Sequence, residues 1–346
     1  MQFLPETTQT AYSTLLQKVQ SSRYAKLNQV GFTTKRPKDQ TYWYCQYTDI
    51  SGARRQRYMG IDSEELRTSI EDAKQSQLAS GTILADRKRL VAMITAGGGT
   101  PEKGRPAKII EKLSDAGVFD AGGLLIGSYA FSCYGNLLGV TFDDAMRRTE
   151  DMDIACDQSI EIGFMCDVKA DVAAVAPEMA QPKQINPWVP PYDMVASDGF
   201  KLEFLTSRPD PSHKEPIKIE RFGINALPLD FLEFIIQNAV QAVVLYGSGI
   251  LVNIPDPARF AIHKLAVSQL RPSSTPEKKR KDLAQASAVI EYLLEENPGS
   301  LLLATDAAKQ LGNTFSTLVE VAMANMPNKL LAAKLITECW APSQQY

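Results

Sequence analysis

Apolar and polar positions switch between helical and strand spacing along this chain, and their order predicts a mixed α and β protein. Residues 5–20 set Tyr12, Leu15, Leu16 and Val19 at helical spacing behind a Thr-Thr pair. Thr41–Asp49 is rich in aromatic residues, Ser51-Gly52 is a turn signal, and Arg54–Met59 reads as the returning strand of a hairpin. Helical patterns follow over Ser63–Thr82 and Ala85–Ile94. Ala96–Gly104 is the clearest break. Its glycines stand beside a threonine, but no Gly-Lys-Ser/Thr follows, so it reads as a hinge and not as a phosphate loop.

Ala107–Ala116 predicts a short helix, Leu124–Ile126 a buried strand, and Tyr129–Leu138 a helix after the break at Gly127-Ser128. Residues 161–180 hold an apolar piece and a helix, and Pro182–Pro191 is irregular. Phe200–Thr206 alternates, with Leu202 and Phe204 on one face and Lys201, Glu203 and Leu205 on the other. Ser207–Glu220, with three prolines, is a loop suited to a lid, and His213 within it is surface decoration. Leu229–Ile236 and Ala239–Leu245 are apolar runs. Gly247-Ser248-Gly249 reads as a hairpin turn into a strand at Ile250–Ile254. Helices are predicted from Pro257 and over Glu277–Leu294, and two packing helices follow over 299–346, broken near Asn325–Asn328.

At 346 residues the chain suits two or three units, drawn at 1–95, 105–256 and 257–346. A net charge of −3 supplies no global attraction for nucleic acid, so such binding must rest on local patches. Two patches qualify. Around the hairpin, Lys35, Arg36, Lys38, Arg54, Arg55 and Arg57 interleave with Tyr42, Trp43, Tyr44, Tyr47 and Tyr58. Such a face could stack bases and hold phosphates, but the favoured reading is a sheet with an aromatic core face and a solvated basic face. The second patch is Lys264, Arg271 and the run Lys278–Lys281. Five scattered cysteines without a Cys-x-x-Cys pair predict buried thiols in a reducing cytoplasm. The stretch MQFLPETTQT lacks the basic start and apolar core of a signal peptide, and no run approaches the ~20 apolar residues of a membrane span.

The candidate chemistry lies between Gly122 and Asp153. In Asp151-Met152-Asp153 on a strand, both carboxylates project from one face. Adjacent acids repel unless a cation lies between them, and hard oxygen ligands suit Mg²⁺. Gly127-Ser128, a following helix and then Asp151-x-Asp153 resemble the nucleotidyltransferase superfamily with the DNA polymerase β-like core. Arg147-Arg148-Thr149-Glu150-Asp151-Met152-Asp153 is similar in style to the AbiEii-like, toxin-type members.

The resemblance implies an α+β fold with a mixed sheet core, an N-terminal helix and hairpin region, and a C-terminal helical region. It also implies two Mg²⁺ ions, with Mn²⁺ as a substitute, held by Asp151, Asp153 and a third acid on a later strand. Glu203 is that third acid, with Asp198 as its competitor. Gly127, Ser128, Arg148 and Thr149 would hold the nucleoside triphosphate. Lys264 and Lys281 would reach its phosphates, with a solvated helix lysine as the alternative for Lys264. His263 reads as a packed helix histidine. The implied reaction moves a nucleoside monophosphate from a triphosphate to an acceptor, releasing pyrophosphate. The favoured acceptor is an RNA end, tRNA above all, guided by residues 35–57 and 264–281. A protein side chain, as in AMPylation, and an inactive antitoxin-like module are the alternatives.

Overall fold

The computed structural model describes residues 1–22, 31–37, 40–48, 54–76, 80–147, 149–160, 166–182, 188–210 and 212–340. The turn read at Ser51-Gly52 lies outside them, as do Lys38 and Arg148.

The N-terminal region comprises β1 (Gln2–Phe3), α1 (Glu6–Ser21), β2 (Gly31–Lys35), β3 (Tyr42–Thr48), β4 (Arg54–Ile61), α2 (Glu64–Ser76), α3 (Ser80–Ala96) and α4 (Gly104–Asp115). Strands β2, β3 and β4 form an antiparallel sheet, one strand more than the predicted hairpin. Tyr42, Tyr44 and Tyr58 are buried in the main core with Ile109 and Leu113 of α4. Cys45 and Met59 pack with Ile70 of α2. Arg57, 5% exposed, donates to the Asp120 carboxylate at 2.9 and 2.6 Å. These tyrosines and Arg57 therefore dock the small sheet onto the rest of the chain and are not available to stack bases.

The predicted hinge is a packed turn. A Cβ at Gly97 would collide with Oγ1 of Thr8, and one at Gly99 would meet Cγ2 of Ile94 at 2.5 Å. The Asn136 side chain brackets Thr100, accepting from its N–H at 2.8 Å and donating to its carbonyl at 2.9 Å. Glycine serves here for close approach and not for freedom of movement.

The central region comprises β5 (Gly123–Ile126), α5 (Gly127–Leu138), β6 (Val140–Thr141), α6 (Asp144–Arg147), β7 (Asp151–Cys156), α7 (Val168–Ala173), β8 (Asp193–Val195), β9 (Lys201–Ser207), β10 (Ile217–Ile219), β11 (Ile224–Leu229), α8 (Leu232–Ile236), β12 (Val240–Val244) and β13 (Ile250–Ile254). A six-stranded mixed sheet runs β10-β11-β9-β7-β5, and β8 pairs with the first half of β9. Strand β9 is parallel to β7 and β11, whereas β5 is antiparallel to β7. Alternation along β9 buries Leu202 and Phe204 and leaves Lys201 and Glu203 partly open, as the spacing predicts. Strands β12 and β13 are joined at Gly247-Ser248-Gly249, the predicted hairpin turn. The loop expected over Ser207–Glu220 contains β10, and the run from Leu229 contains helix α8.

The C-terminal region comprises α9 (Pro257–Leu270), α10 (Pro276–Glu296), α11 (Pro298–Gln310), α12 (Asn313–Ala324) and α13 (Lys329–Leu335) with a π turn at Ile336–Trp340. Among the described residues three α-helices therefore stand after residue 297, where two were predicted over 299–346. Asp256 caps α9 by accepting from the Ala258 and Arg259 amides, with Pro257 at the first helical position. Among the described residues no helix is long and apolar enough to cross a membrane.

Candidate active site

The site lies where the sheet faces α9 and α10. Its foundation is strand register. Asp153 on β7 pairs with Glu203 on β9, and Asp151 pairs with Lys201. Side chains of paired residues on neighbouring strands leave the sheet on the same side. Asp151, Asp153 and Glu203 therefore share one face, although fifty residues separate the two strands. Asp193 on β8 pairs with Glu203 from its other side and adds a fourth carboxylate to the row. Asp193 is 8% exposed, and its Oδ1 has no partner among the described residues. Sequence reasoning missed it; the available signal was an acid between Tyr192 and Met194 after the irregular proline stretch.

Burial and then the neighbouring Glu203 push the Asp153 carboxyl up to about 7, against the opposing pull of Lys264. Burial also raises Glu203. Asp198 stands elsewhere. It is held by two hydrogen bonds from Arg105, at 2.9 and 2.8 Å, and these hold its carboxyl down to about 2. Geometry thus separates Glu203 from its competitor.

Strand β5 ends at Ile126 and α5 starts at once on Gly127, whose φ of +64° is left-handed. A Cβ on Gly127 would stand 2.8 Å from Oδ2 of Asp153. Gly127 is required both by its backbone angle and by the carboxylate against it. A Gly127→Ala protein should stay folded at a cost of about 1–3 kcal/mol. Its transfer rate should fall at least about tenfold, since Asp153 must move. Unchanged turnover in that variant would separate the turn from the chemistry.

The first turn of α5 has no acidic residue and no side-chain cap. Gly127 and Ser128 at the positive end of this helix dipole line a cavity, and such a terminus is a ready anion site. Ser128 at that end is buried, and its Oγ accepts a hydrogen bond from Nε2 of Gln285 at 3.2 Å. The same Gln285 nitrogen donates to the Met146 carbonyl at 2.7 Å. Gln285 was not legible as a site residue, because it sits in an ordinary amphipathic helix. Oγ1 of Thr149 accepts from the Asp151 amide at 3.3 Å and so supports the start of β7.

Opposite the acids is a cationic wall. Asp282, 3% exposed, accepts from Nζ of Lys264 at 2.5 Å and from Nε of Arg271 at 2.7 Å. The Lys264 ammonium is thus held by a buried carboxylate, which the solvated-lysine alternative did not foresee. Nζ of Lys278 reaches Oδ2 of Asp151 at 3.2 Å. Lys281 lines the same space, and burial with Lys264 nearby lowers its ammonium to about 8. The acidic face and the cationic wall enclose a cavity of about 340 Å³. Gly127, Ser128, Thr149, Asp151, Asp153 and Glu203 line it together with Lys264 and Lys281. His263 lines it too, and burial pushes its imidazole down to about 3, so the ring is neutral near pH 7.

Among the described residues no group of three His, Cys, Asp or Glu side chains is placed so that it could hold a metal ion. The donor chemistry still fits a hard divalent cation. The donors are carboxylates in one row, and among the described residues no hydrogen bond to Asp153 offsets its burial. The Lys278 ammonium on Asp151 shows that this face draws positive charge.

Carboxylates on one sheet face, the N-terminus of α5 and the lysines opposite the acids share one cavity, an arrangement that suits phosphoryl transfer. A family model described as nucleotidyltransferase matches residues 105–310, and the chain belongs to that family. The match contains every site residue above and leaves the small N-terminal sheet, α12 and α13 outside it. No curated protein and no solved structure matches the chain.

Proposed function

We propose that this nucleotidyltransferase moves a nucleoside monophosphate from a nucleoside triphosphate to the end of an RNA, with tRNA favoured as the acceptor. The observation that supports this most is the register of Asp153 with Glu203 beneath the cationic wall. The amides of Gly127 and Ser128 bind terminal phosphate oxygens. Gln285 donates to Ser128 Oγ, which leaves the hydroxyl hydrogen free to point at a phosphate. Lys264 and Lys281 neutralise charge along the phosphate chain. Thr149 flanks it on the Asp151 side, and Arg148, expected beside it, lies outside the described residues.

Asp151, Asp153 and Glu203 would hold two Mg²⁺ ions, or Mn²⁺. Bound there, the ions would stabilise the charge that develops on the attacking and leaving oxygens. An acceptor hydroxyl oxygen attacks the α-phosphorus. A new O–P bond forms, the bond to the α,β-bridging oxygen breaks, and pyrophosphate departs. The hydroxyl proton leaves to water, since Asp151, Asp153 and Glu203 must stay deprotonated to hold the ions. Holding the reactants in line and neutralising charge supply the rate, with no covalent intermediate.

The RNA acceptor is supported by the exposed Lys278, which lines the cavity, and by the exposed Arg280 on the same first turns of α10. The Arg-Arg-Thr-Glu-Asp-Met-Asp stretch keeps a toxin-type role in view, with action in the cytoplasm. The test incubates the protein with each α-labelled nucleoside triphosphate, Mg²⁺, total RNA and lysate protein. Label should enter a tRNA-sized RNA, and transfer should weaken steeply with added salt. Label in protein with little salt dependence would replace RNA by a protein acceptor. Nucleotide binding without pyrophosphate release would indicate an inactive sensor.

A further inference from the structure

Nζ of Lys278 stands 3.2 Å from Oδ2 of Asp151, joining the first turn of α10 to the start of β7. A helix N-terminus disfavours a cation, because the amides there already carry partial positive charge. Lys278 is held by the carboxylate across the cavity and not by its own helix. The helix is pinned a turn further on. Asp282 receives Lys264 and Arg271, and Gln285 donates to Oγ of Ser128 and to the Met146 carbonyl. The Lys278 side chain is 52% exposed, on a flexible four-carbon stem. Its ammonium can leave Asp151 by rotation of that stem while α10 stays in place.

Asp151 belongs to the row of carboxylates whose chemistry suits a divalent cation, yet among the described residues no group of three is placed to hold one. The ammonium on Asp151 stands in the way, since two cations at one carboxylate repel. A divalent cation that takes Asp151 must displace it. The displaced ammonium is then left at the exposed start of α10, on the same turns as the exposed Arg280, without a carboxylate to neutralise it. We propose that Lys278 is a placeholder for a divalent cation at Asp151, and that its release turns it into a contact for a phosphate of the acceptor RNA. The acceptor then gains this contact only after the cation is in place. This coupling rests on the RNA acceptor read above.

The exchange is one of ion pairs, with no covalent step. A half-exposed pair contributes little, so the placeholder lowers the affinity for the cation by no more than about fivefold. A lysine on an RNA phosphate releases a counterion, which shows as a steeper salt dependence. A lysine that only supported α10 would change neither quantity. One that acted through net charge would act on RNA with or without the cation.

The experiment titrates Mn²⁺ into the wild type, Lys278→Met, Lys278→Arg and Lys279→Met. Total tRNA is titrated into the first three, with and without Mg²⁺, over a range of salt. Lys279 is the control, a neighbouring lysine whose Nζ donates to Oε1 of Gln269 at 3.3 Å. Lys278→Met should bind Mn²⁺ about two- to fivefold more tightly than the wild type, and Lys279→Met should match the wild type. Without divalent cation Lys278→Met should bind tRNA as the wild type does. With Mg²⁺ its salt slope should be shallower than the wild type's by about one, and Lys278→Arg should keep the wild-type slope. Unchanged Mn²⁺ affinity in Lys278→Met overturns the proposal, as does an equal gain in Lys279→Met. A salt slope that falls equally with and without Mg²⁺ also overturns it. A wild type that binds tRNA but no Mn²⁺ overturns the coupling and leaves the RNA reading standing. Tighter Mn²⁺ binding in Lys278→Met, with no tRNA bound by any of the proteins, removes the RNA reading and supports the placeholder alone.

Discussion

Asp153→Asn should lower nucleotidyl transfer at least about a thousandfold, the scale that several kcal/mol of lost charge stabilisation produces. It should do so while making the metal-free protein more stable near neutral pH. Burial and Glu203 raise the Asp153 carboxyl to about 7 in the folded state. The unfolded chain releases this proton in the usual aspartate range. Between those limits the folded state holds more protons, so stability falls as pH rises from about 4 to about 7. Asparagine carries no charge to bury and lacks this slope. Thermal melts of the two proteins without divalent metal should converge near pH 4 and separate toward pH 7, with the variant melting higher. Added Mg²⁺ should then stabilise the wild type more than the variant, since metal binding needs the deprotonated ligand. Parallel melting curves, or retained turnover in the variant, would remove Asp153 from the centre of the site.

The second large effect concerns Asp282. It is buried and receives hydrogen bonds from Lys264 and Arg271. Removing one member of a buried ion pair leaves the other charge uncompensated, at a cost of about 3–5 kcal/mol. Asp282→Ala should therefore unfold several degrees earlier than the wild type in a thermal melt. Replacing both Lys264 and Asp282 by Met and Leu should recover part of that loss, because no paired charge is then stranded. Nucleoside triphosphate should stabilise Asp282→Ala more than it stabilises the wild type, since phosphate oxygens can take the place of the missing carboxylate beside Lys264. Equal ligand shifts in both proteins would mean that Lys264 does not face the phosphates.

Several site features were legible in the chain. Period two placed Asp151 and Asp153 on one face, and the apolar run ended by Gly127-Ser128 marked a strand turning into a helix. Alternation around Glu203 marked it as a strand acid. Other features were not. Tyr42, Tyr44 and Tyr58 admitted two readings in sequence, a core face and a stacking surface, and the favoured core face is what forms, because a second layer covers them. The glycines at 97–99 look like a hinge, yet Thr8 and Ile94 press against them. His263 reads as a packed helix histidine, and its ring both packs beside Phe315 and lines the cavity. Asp193 and Gln285 carry no local pattern that distinguishes them from their neighbours.

The sequence by itself determined the local geometry: which side chains share a strand face, where helices begin, and where the backbone needs a left-handed glycine. These depend on residues a few positions apart, whose relation is set by backbone dihedrals. The tertiary structure alone decided that Asp153 meets Glu203, that Asp282 rather than solvent holds Lys264, and that Gln285 reaches Ser128. Those contacts join residues 18 to 157 positions apart. Long-range pairing is chosen by strand register and by the packing of α9 and α10 over the sheet, which no short window of residues contains.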